Sequence, residues 1–319
     1  MKFIKKILFL SFISILVLGC KTNKSGWYEY FEDAKKAATK ENKPILLFVH
    51  SIYDPAESKN AVKLITESPD FTKKLSDFVC VQFDFSDEFI LRDQMPQNLT
   101  ADEEKEFKNR QQKFAKQAKF ADLYSVRTTP TILILTKEGY VVTRVDFDYA
   151  SSLVDGYISR ILLEKDSVDE MNKKIAETKK GSSLKRIEAI DQFFESQDPL
   201  YRNILIDLFE PIPEMDKENK SGLVPKYLIE IAHAHAFEKL RNLDNQGASD
   251  VYLNATNDER LADSDKQTLY FYAAEALLKS RTPNLESGLE ILNKAIDLAP
   301  DSDIAKEIKG YVTEIQKLQ

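Results

Sequence analysis

A change of periodicity near Lys165 divides this chain more sharply than any other feature of its sequence. Before it lie four short apolar runs of strand length: Ile45 to Val49 (ILLFV), Phe78 to Phe85 (FVCVQFDF), Ile132 to Leu135 (ILIL) and Tyr140 to Val145. After it no strand-like alternation survives, and apolar residues recur at spacings of three and four, as helices require. Continuous apolar runs of this length fit strands covered on both faces. The expectation is an α/β domain over residues 27–165 followed by an all-α domain over residues 166–319. A length of 319 residues fits two domains of ordinary size. Only 9 residues are glycine, well under the usual ~7%, which favours helix over turn-rich β architecture.

Within the front half, Trp27, Phe31, Ala34 and Ala38 form one apolar stripe at helical spacing. Lys43-Pro44 ends that helix, because proline disfavours α geometry in the residue before it. A second helix is expected at about Ala56 to Thr66. Lys137-Glu138-Gly139 joins the last two apolar runs as a hairpin. Thr100-Ala101-Asp102-Glu103 has the capping-box pattern and opens a long helix to about Leu123, preceded by Met95-Pro96. Its apolar residues Phe107, Phe114, Ala118 and Ala121 share one side. This helix belongs to an insertion at about 87–123, and it either packs on its own domain or covers the loop around residue 53.

Four segments, taken in order, resemble the thioredoxin superfamily. Glu41-Asn42-Lys43-Pro44 leads into an apolar strand. Tyr53-Asp54-Pro55-Ala56 follows, eight residues after that strand starts, where the family carries Cys-Gly-Pro-Cys. Phe78 to Asp84 resembles the next central strand. Val126-Arg127-Thr128-Thr129-Pro130-Thr131 matches the family's cis-proline loop. The resemblance covers roughly residues 27–165 and implies a central mixed sheet flanked by helices. It also implies that Tyr53 and Ala56 replace both redox cysteines, and that Leu47 replaces the buried carboxylate that serves proton transfer. If Pro130 is cis, Thr129 could offer backbone N–H and C=O groups to an extended peptide; otherwise the proline only fixes the turn before the hairpin. Asp54 at a helix start would favour the helix dipole. Cys80 sits in an apolar run, where cysteine behaves as a small hydrophobe. Thiol–disulfide exchange needs an accessible thiolate and normally a resolving partner, so no autonomous oxidoreductase is expected; a cryptic enzyme using His50 and Asp54 is the weaker third reading. His50, at the end of the first strand, is close to the loop around residue 53, and the sequence pairs it with no recognisable nucleophile motif.

In the second half, helices are expected at Leu184 to Phe194, Tyr201 to Phe209, Leu223 to Arg241, Asp263 to Ser280, Leu285 to Ala299 and Ser302 to Leu318. Pro211 and Pro213 interrupt the pattern, and Asp216 to Ser221 reads as a solvated loop. The stretch from Tyr270, with Ala273, Ala274 and Leu277, to Gly288, Leu292, Ala295 and Pro300 resembles one tetratricopeptide repeat. Its small residues let two helices approach closely. Stacks of this kind usually present a surface to other proteins. His233 and His235 stand about 200° apart on a helix and cannot easily share a metal. No metal site or cofactor-binding motif is expected.

The N-terminus carries an address. Lys2, Lys5 and Lys6 precede an apolar run from Ile7 to Leu18, too short to span a bilayer and consistent with a signal peptide over residues 1–19. Val17-Leu18-Gly19-Cys20 resembles a bacterial lipobox, which implies lipidation of Cys20, export, and a membrane-tethered protein of the bacterial cell envelope. Acyl chains contribute ~0.8 kcal/mol per buried CH₂, enough for stable attachment when several are present. Residues 20–26, with Lys21 to Ser25 (KTNKS), read as a polar tether. Losing residues 1–19 removes three lysines and no acid, moving the net charge from −7 to −10. An acidic body of this kind is expected to stand off an anionic membrane and does not suit a nucleic-acid backbone. The expected function is protein or peptide binding, or scaffolding, by an anchored, redox-inactive head with a helical tail. The alternative is client binding within a thiol–disulfide pathway whose chemistry a partner supplies.

Overall fold

The computed structural model describes residues 22–51, 53–86, 96–145 and 154–317. The leader at 1–19, Cys20, Met95 and the first part of the insertion lie outside the described residues.

The front half builds α1 (Phe31–Glu41), β1 (Ile45–His50), α2 (Ala56–Glu67), α3 (Pro69–Lys74), β2 (Val79–Asp84), α4 (Ala101–Leu123), β3 (Thr131–Leu135), β4 (Val141–Val145) and α5 (Val154–Leu163). The sheet order is β2-β1-β3-β4. β1 and β2 are parallel, with Ile45 opposite Val79 and His50 opposite Asp84. β3 is antiparallel to both β1 and β4.

The sheet is covered on both sides, which is why its central strands read as unbroken apolar runs. On one face Leu46, Phe48, Cys80, Ile132 and Ile134 meet Ile65 of α2, Phe71 of α3, and Tyr157 and Ile161 of α5. On the other, Leu47, Val49, Val81, Phe83 and Leu133 meet Phe31 and Ala34 of α1 and Ala121 of α4. Each large side chain so buried contributes about 1.5–3 kcal/mol. α1 ends at Asn42, which takes a left-handed φ of 54° and donates its N–H to the carbonyl of Ala38. The capping box at Thr100 and Glu103 forms as expected. α4 packs on its own domain rather than covering the loop: the Phe120 ring lies tilted 4.7 Å from that of Phe31, and Gln117 Nε2 donates to the Glu29 carbonyl at 3.0 Å.

Two N-terminal expectations change. Trp27 is not on the stripe of α1, which starts only at Phe31. Trp27 lies on the opposite face of the sheet, fully buried and stacked 5.8 Å from Phe71. The tether expected over 20–26 is already folded from Thr22 onward. Asn23 Oδ1 accepts from the N–H groups of both Ser25 and Trp27 at 3.0 Å, making a closed turn. Tyr28 then bridges to Val81 as a one-residue extension of the sheet beyond β2.

The second half is helical throughout its described residues: α6 (Lys165–Glu177), α7 (Ser183–Glu195), a 3₁₀ turn (Pro199–Leu205), α8 (Ile206–Phe209), α9 (Ile212–Met215), α10 (Val224–Arg241), α11 (Asn245–Ala255), α12 (Asp263–Leu278), α13 (Leu285–Leu298) and α14 (Asp303–Gln316). From α10 on, each helix packs against the next. The α10–α11 pair recurs as α12–α13 after about 40 residues, longer than the 34 of a tetratricopeptide repeat. At Gly288 an added Cβ would lie 2.6 Å from Leu278 Cδ2, so the absence of a side chain sets how closely α12 and α13 approach. The short α9 starts directly after Pro211 and holds Pro213 in its first turn, where the sequence pattern shows only a break.

No gap separates the halves. Tyr140, from the hairpin, is buried among Met171, Ile175, Phe193 and Phe209, and its hydroxyl donates to Asp207 Oδ1 at 2.7 Å. Arg241 Nε of α10 donates to Asp122 Oδ2 of α4 at 3.0 Å.

Candidate functional site

The register of the sheet gathers the site. Val49 faces Thr131 across the β1–β3 ladder, so the segments continuing from each, Ser51 to Ala56 and Thr129-Pro130, emerge at the same end. The Thr129-Pro130 peptide bond is cis.

The loop over residues 53–56 is held from within. Asp54 is buried, and its Oδ2 accepts from the Ser51 N–H at 3.0 Å, while its own N–H donates to the Ser51 carbonyl at 3.1 Å. It therefore closes the loop rather than capping α2, whose N-cap is Pro55 without a side-chain bond. Ser58 Oγ donates to the Pro55 carbonyl at 2.7 Å and fixes the first turn of the helix. Tyr53 is left 59% exposed, and Ala56 is exposed beside it. Neither side chain can exchange a disulfide.

His50 lies beneath this loop, buried and stacked 5.1 Å from Phe48. Its Nδ1 is 3.8 Å from Asp84 Oδ1, and its Nε2 finds no well-formed hydrogen bond. Burial pulls its pKa below the ordinary value, although Asp84, Asp54 and the Gln82 side chain favour the charged form. The ring thus favours its neutral form near pH 7.

Cys80, on the sheet face below, is buried and its thiol is pushed up to about 12 by desolvation. Leu47 points to the opposite face, wholly buried among apolar residues. No group of three or more His, Cys, Asp or Glu side chains among the described residues is placed to hold a metal ion. His233 and His235 go separate ways on α10: His233 Nδ1 meets the Tyr252 hydroxyl at 3.0 Å, and His235 Nε2 meets Glu210 Oε1 at 3.0 Å.

One residue of the site escaped the sequence. Arg144 of β4 donates from Nη2 to both Thr128 Oγ1 and Thr131 Oγ1 at 3.2 Å, and Thr131 Oγ1 donates to the Thr128 carbonyl at 2.7 Å. These bonds pin the cis-proline loop. The hairpin register that brings Arg144 opposite Leu133 is the only signal that could have found it. Arg144 also lines a cleft of about 550 Å³ between β4, α6 and the 3₁₀ turn, together with Thr143, Glu170, Lys174 and Tyr201.

The family model of the thioredoxin-like domain matches residues 31–146, which contain β1, the loop at 53–56, β2, the cis-proline and the hairpin. The front half of the chain is a thioredoxin-like domain. A second model, described as an uncharacterised protein C-terminal domain, matches residues 223–319, the stack from α10 to α14. No curated protein matches the chain. Between β2 and β3 the domain carries the long α4, and the loop between β1 and α2 holds Tyr53, Asp54 and Pro55, with Ala56 opening α2.

Proposed function

We propose that this protein is an exported lipoprotein, anchored through Cys20 in the bacterial cell envelope, whose thioredoxin-like domain binds extended peptide or protein segments without redox chemistry. The observation that carries the binding reading is the pairing of a pinned, cysteine-free loop with the cis-proline loop at one end of the sheet. Tyr53 supplies an exposed aromatic surface. The Arg144 clamp holds Thr128 and Thr131 in place on either side of Thr129-Pro130, which spares a bound segment the cost of ordering that loop. The cleft along β4 continues the same surface through Arg144. Redox inactivity rests on chemistry: the thiolate is the reactive form of cysteine, and Cys80 is buried with its thiol held protonated. The helical stack is the scaffold, joined to the head through Tyr140 and Arg241.

A photo-crosslinking amino acid at position 53 tests this, with an unfolded, reduced and alkylated polypeptide as the probe. Crosslinking at position 53 should exceed that at Glu286 on α13, and Arg144→Ala should lower it. Equal yields at both positions would remove the peptide-binding reading. A requirement for free thiols on the probe would favour client binding in a thiol–disulfide pathway instead.

A further inference from the structure

The folded body begins almost at the proposed anchor. Thr22 already bridges to Tyr28. Asn23 donates its N–H to the Trp27 carbonyl at 2.8 Å, and Gly26 donates to Asn23 at 3.0 Å. Thr72 Oγ1 of α3 donates to the Ser25 carbonyl at 2.6 Å, and Ser25 Oγ donates to the Glu67 carbonyl at 3.1 Å. Tyr28 is tied to β2 on both sides, donating to Cys80 at 2.8 Å and accepting from the Gln82 N–H at 2.9 Å. Trp27 is fully buried beneath this turn. Lys21 alone separates Cys20 from a residue fixed to the body, so the Cα atoms of Cys20 and Thr22 are at most ~7 Å apart.

From this we infer that the edge of the domain formed by residues 22–28 and the 67–74 segment is a membrane-facing surface that rests against lipid headgroups, with the helical stack directed away from the bilayer. The inference rests on lipidation of Cys20. Covalent reach carries it: an acyl anchor seated in the bilayer leaves no chain long enough to lift this edge beyond about one Debye length, ~8 Å at physiological ionic strength. Charge permits it. Lys24, Lys73 and Lys74 stand here beside Glu67, Asp70 and Asp155, and Lys74 pairs with Asp155 at 2.7 Å. The edge is thus close to neutral, whereas the chain after residue 19 carries −10. An anionic surface therefore repels this edge less than the chain's total charge alone would imply. Strand order sets the orientation. The bridge at Tyr28 lies beyond β2, and β4, against which α6 packs, is the opposite edge. Four strand intervals of about 4.8 Å place that far edge roughly 19 Å away. The expectation that the body stands off the membrane on a polar tether is replaced by edge-on contact.

The test uses the full-length lipidated protein in vesicles of phosphatidylethanolamine and phosphatidylglycerol that contain a headgroup spin-labelled lipid. A fluorophore is attached at Lys24→Cys, Lys73→Cys or Glu286→Cys; native Cys80 is buried. Quenching should be several-fold stronger at 24 and 73 than at 286. A flexible Gly/Ser insertion of about ten residues after Lys21, reaching roughly 17 Å, should abolish that difference. Equal quenching at all three positions, or quenching unaffected by the insertion, would overturn edge-on contact while leaving the anchor intact. Intact mass showing no acyl chain on the wild-type protein, or membrane attachment surviving Cys20→Ala, would overturn the anchor and this inference together.

Discussion

His50 is a buried imidazole at the candidate site whose pKa burial lowers, and His50→Phe isolates it. In the folded protein, burial holds the imidazole pKa below its ordinary 6.5, against the opposing pull of Asp84, Asp54 and Gln82. The sign follows from linkage. Between the ordinary value and the lower folded value, the unfolded chain takes up the proton first, so stability falls as pH drops through that window. A single proton limits the slope to about 1.4 kcal/mol per pH unit. His233 is shifted in the same direction by burial, so the wild-type curve contains both contributions. Phenylalanine keeps a ring on Phe48 and removes the buried Nε2, which lacks a well-formed hydrogen bond. At pH 8 the variant should therefore match the wild type to within about 1–2 kcal/mol. Below about pH 6.5 its urea-unfolding free energy should decline less steeply than that of the wild type, by up to that one-proton slope. Parallel wild-type and H50F curves from pH 8 to pH 5 would refute the buried, neutral imidazole.

Tyr140→Phe removes the hydrogen bond to Asp207 that joins the hairpin to the helical core; it should lower stability by about 1–3 kcal/mol, measured by thermal or urea unfolding, and an unchanged midpoint would show the contact to be idle. Cys80, with its thiol pushed up to about 12 by burial, should resist a thiol-specific reagent in the native protein and react fully in denaturant. The wild-type protein should likewise not reduce insulin above the buffer rate; turnover lost on Cys80→Ala would contradict the redox-inactive reading.

Much of the head was legible because its constraints are local. Two-sided burial leaves unbroken apolar runs at β1, β2 and β3, proline at 44 marks the end of α1, and Thr100 with Glu103 announces α4. Trp27 misled for a physical reason: four residues from Phe31 it fits a helical stripe, but the Asn23 turn carries it to the other face of the sheet. α11 was invisible because its sequence NQGASDVYLNA buries only Ala248, Ser249 and Tyr252 and leaves no apolar stripe to read. α6 was missed at the junction with the head, where Met171 and Ile175 pack around Tyr140 and no linker composition marks a boundary. At the candidate site, the resemblance is what singled out the loop at 53–56 and Pro130. The inward turn of Asp54 and the Arg144 clamp depend on contacts that strand pairing creates, and neither has a local signature.

The placement of Tyr53-Asp54-Pro55-Ala56 in the position of the thioredoxin redox loop underlies the whole account, and a double substitution tests it most directly. In a Cys80→Ala background, Tyr53→Cys with Ala56→Cys puts two thiols at the loop and the first turn of α2, where Cα atoms within about 4.4–6.8 Å permit a disulfide. Free thiols are counted by intact mass after mild oxidation, with monomers separated from dimers. The account predicts a monomer that loses both thiols to one intramolecular bridge while insulin reduction stays poor, because Leu47 supplies no proton relay and the Asp54 carboxylate opposes the thiolate. Two thiols that remain free, or bridges formed only between molecules, would contradict it.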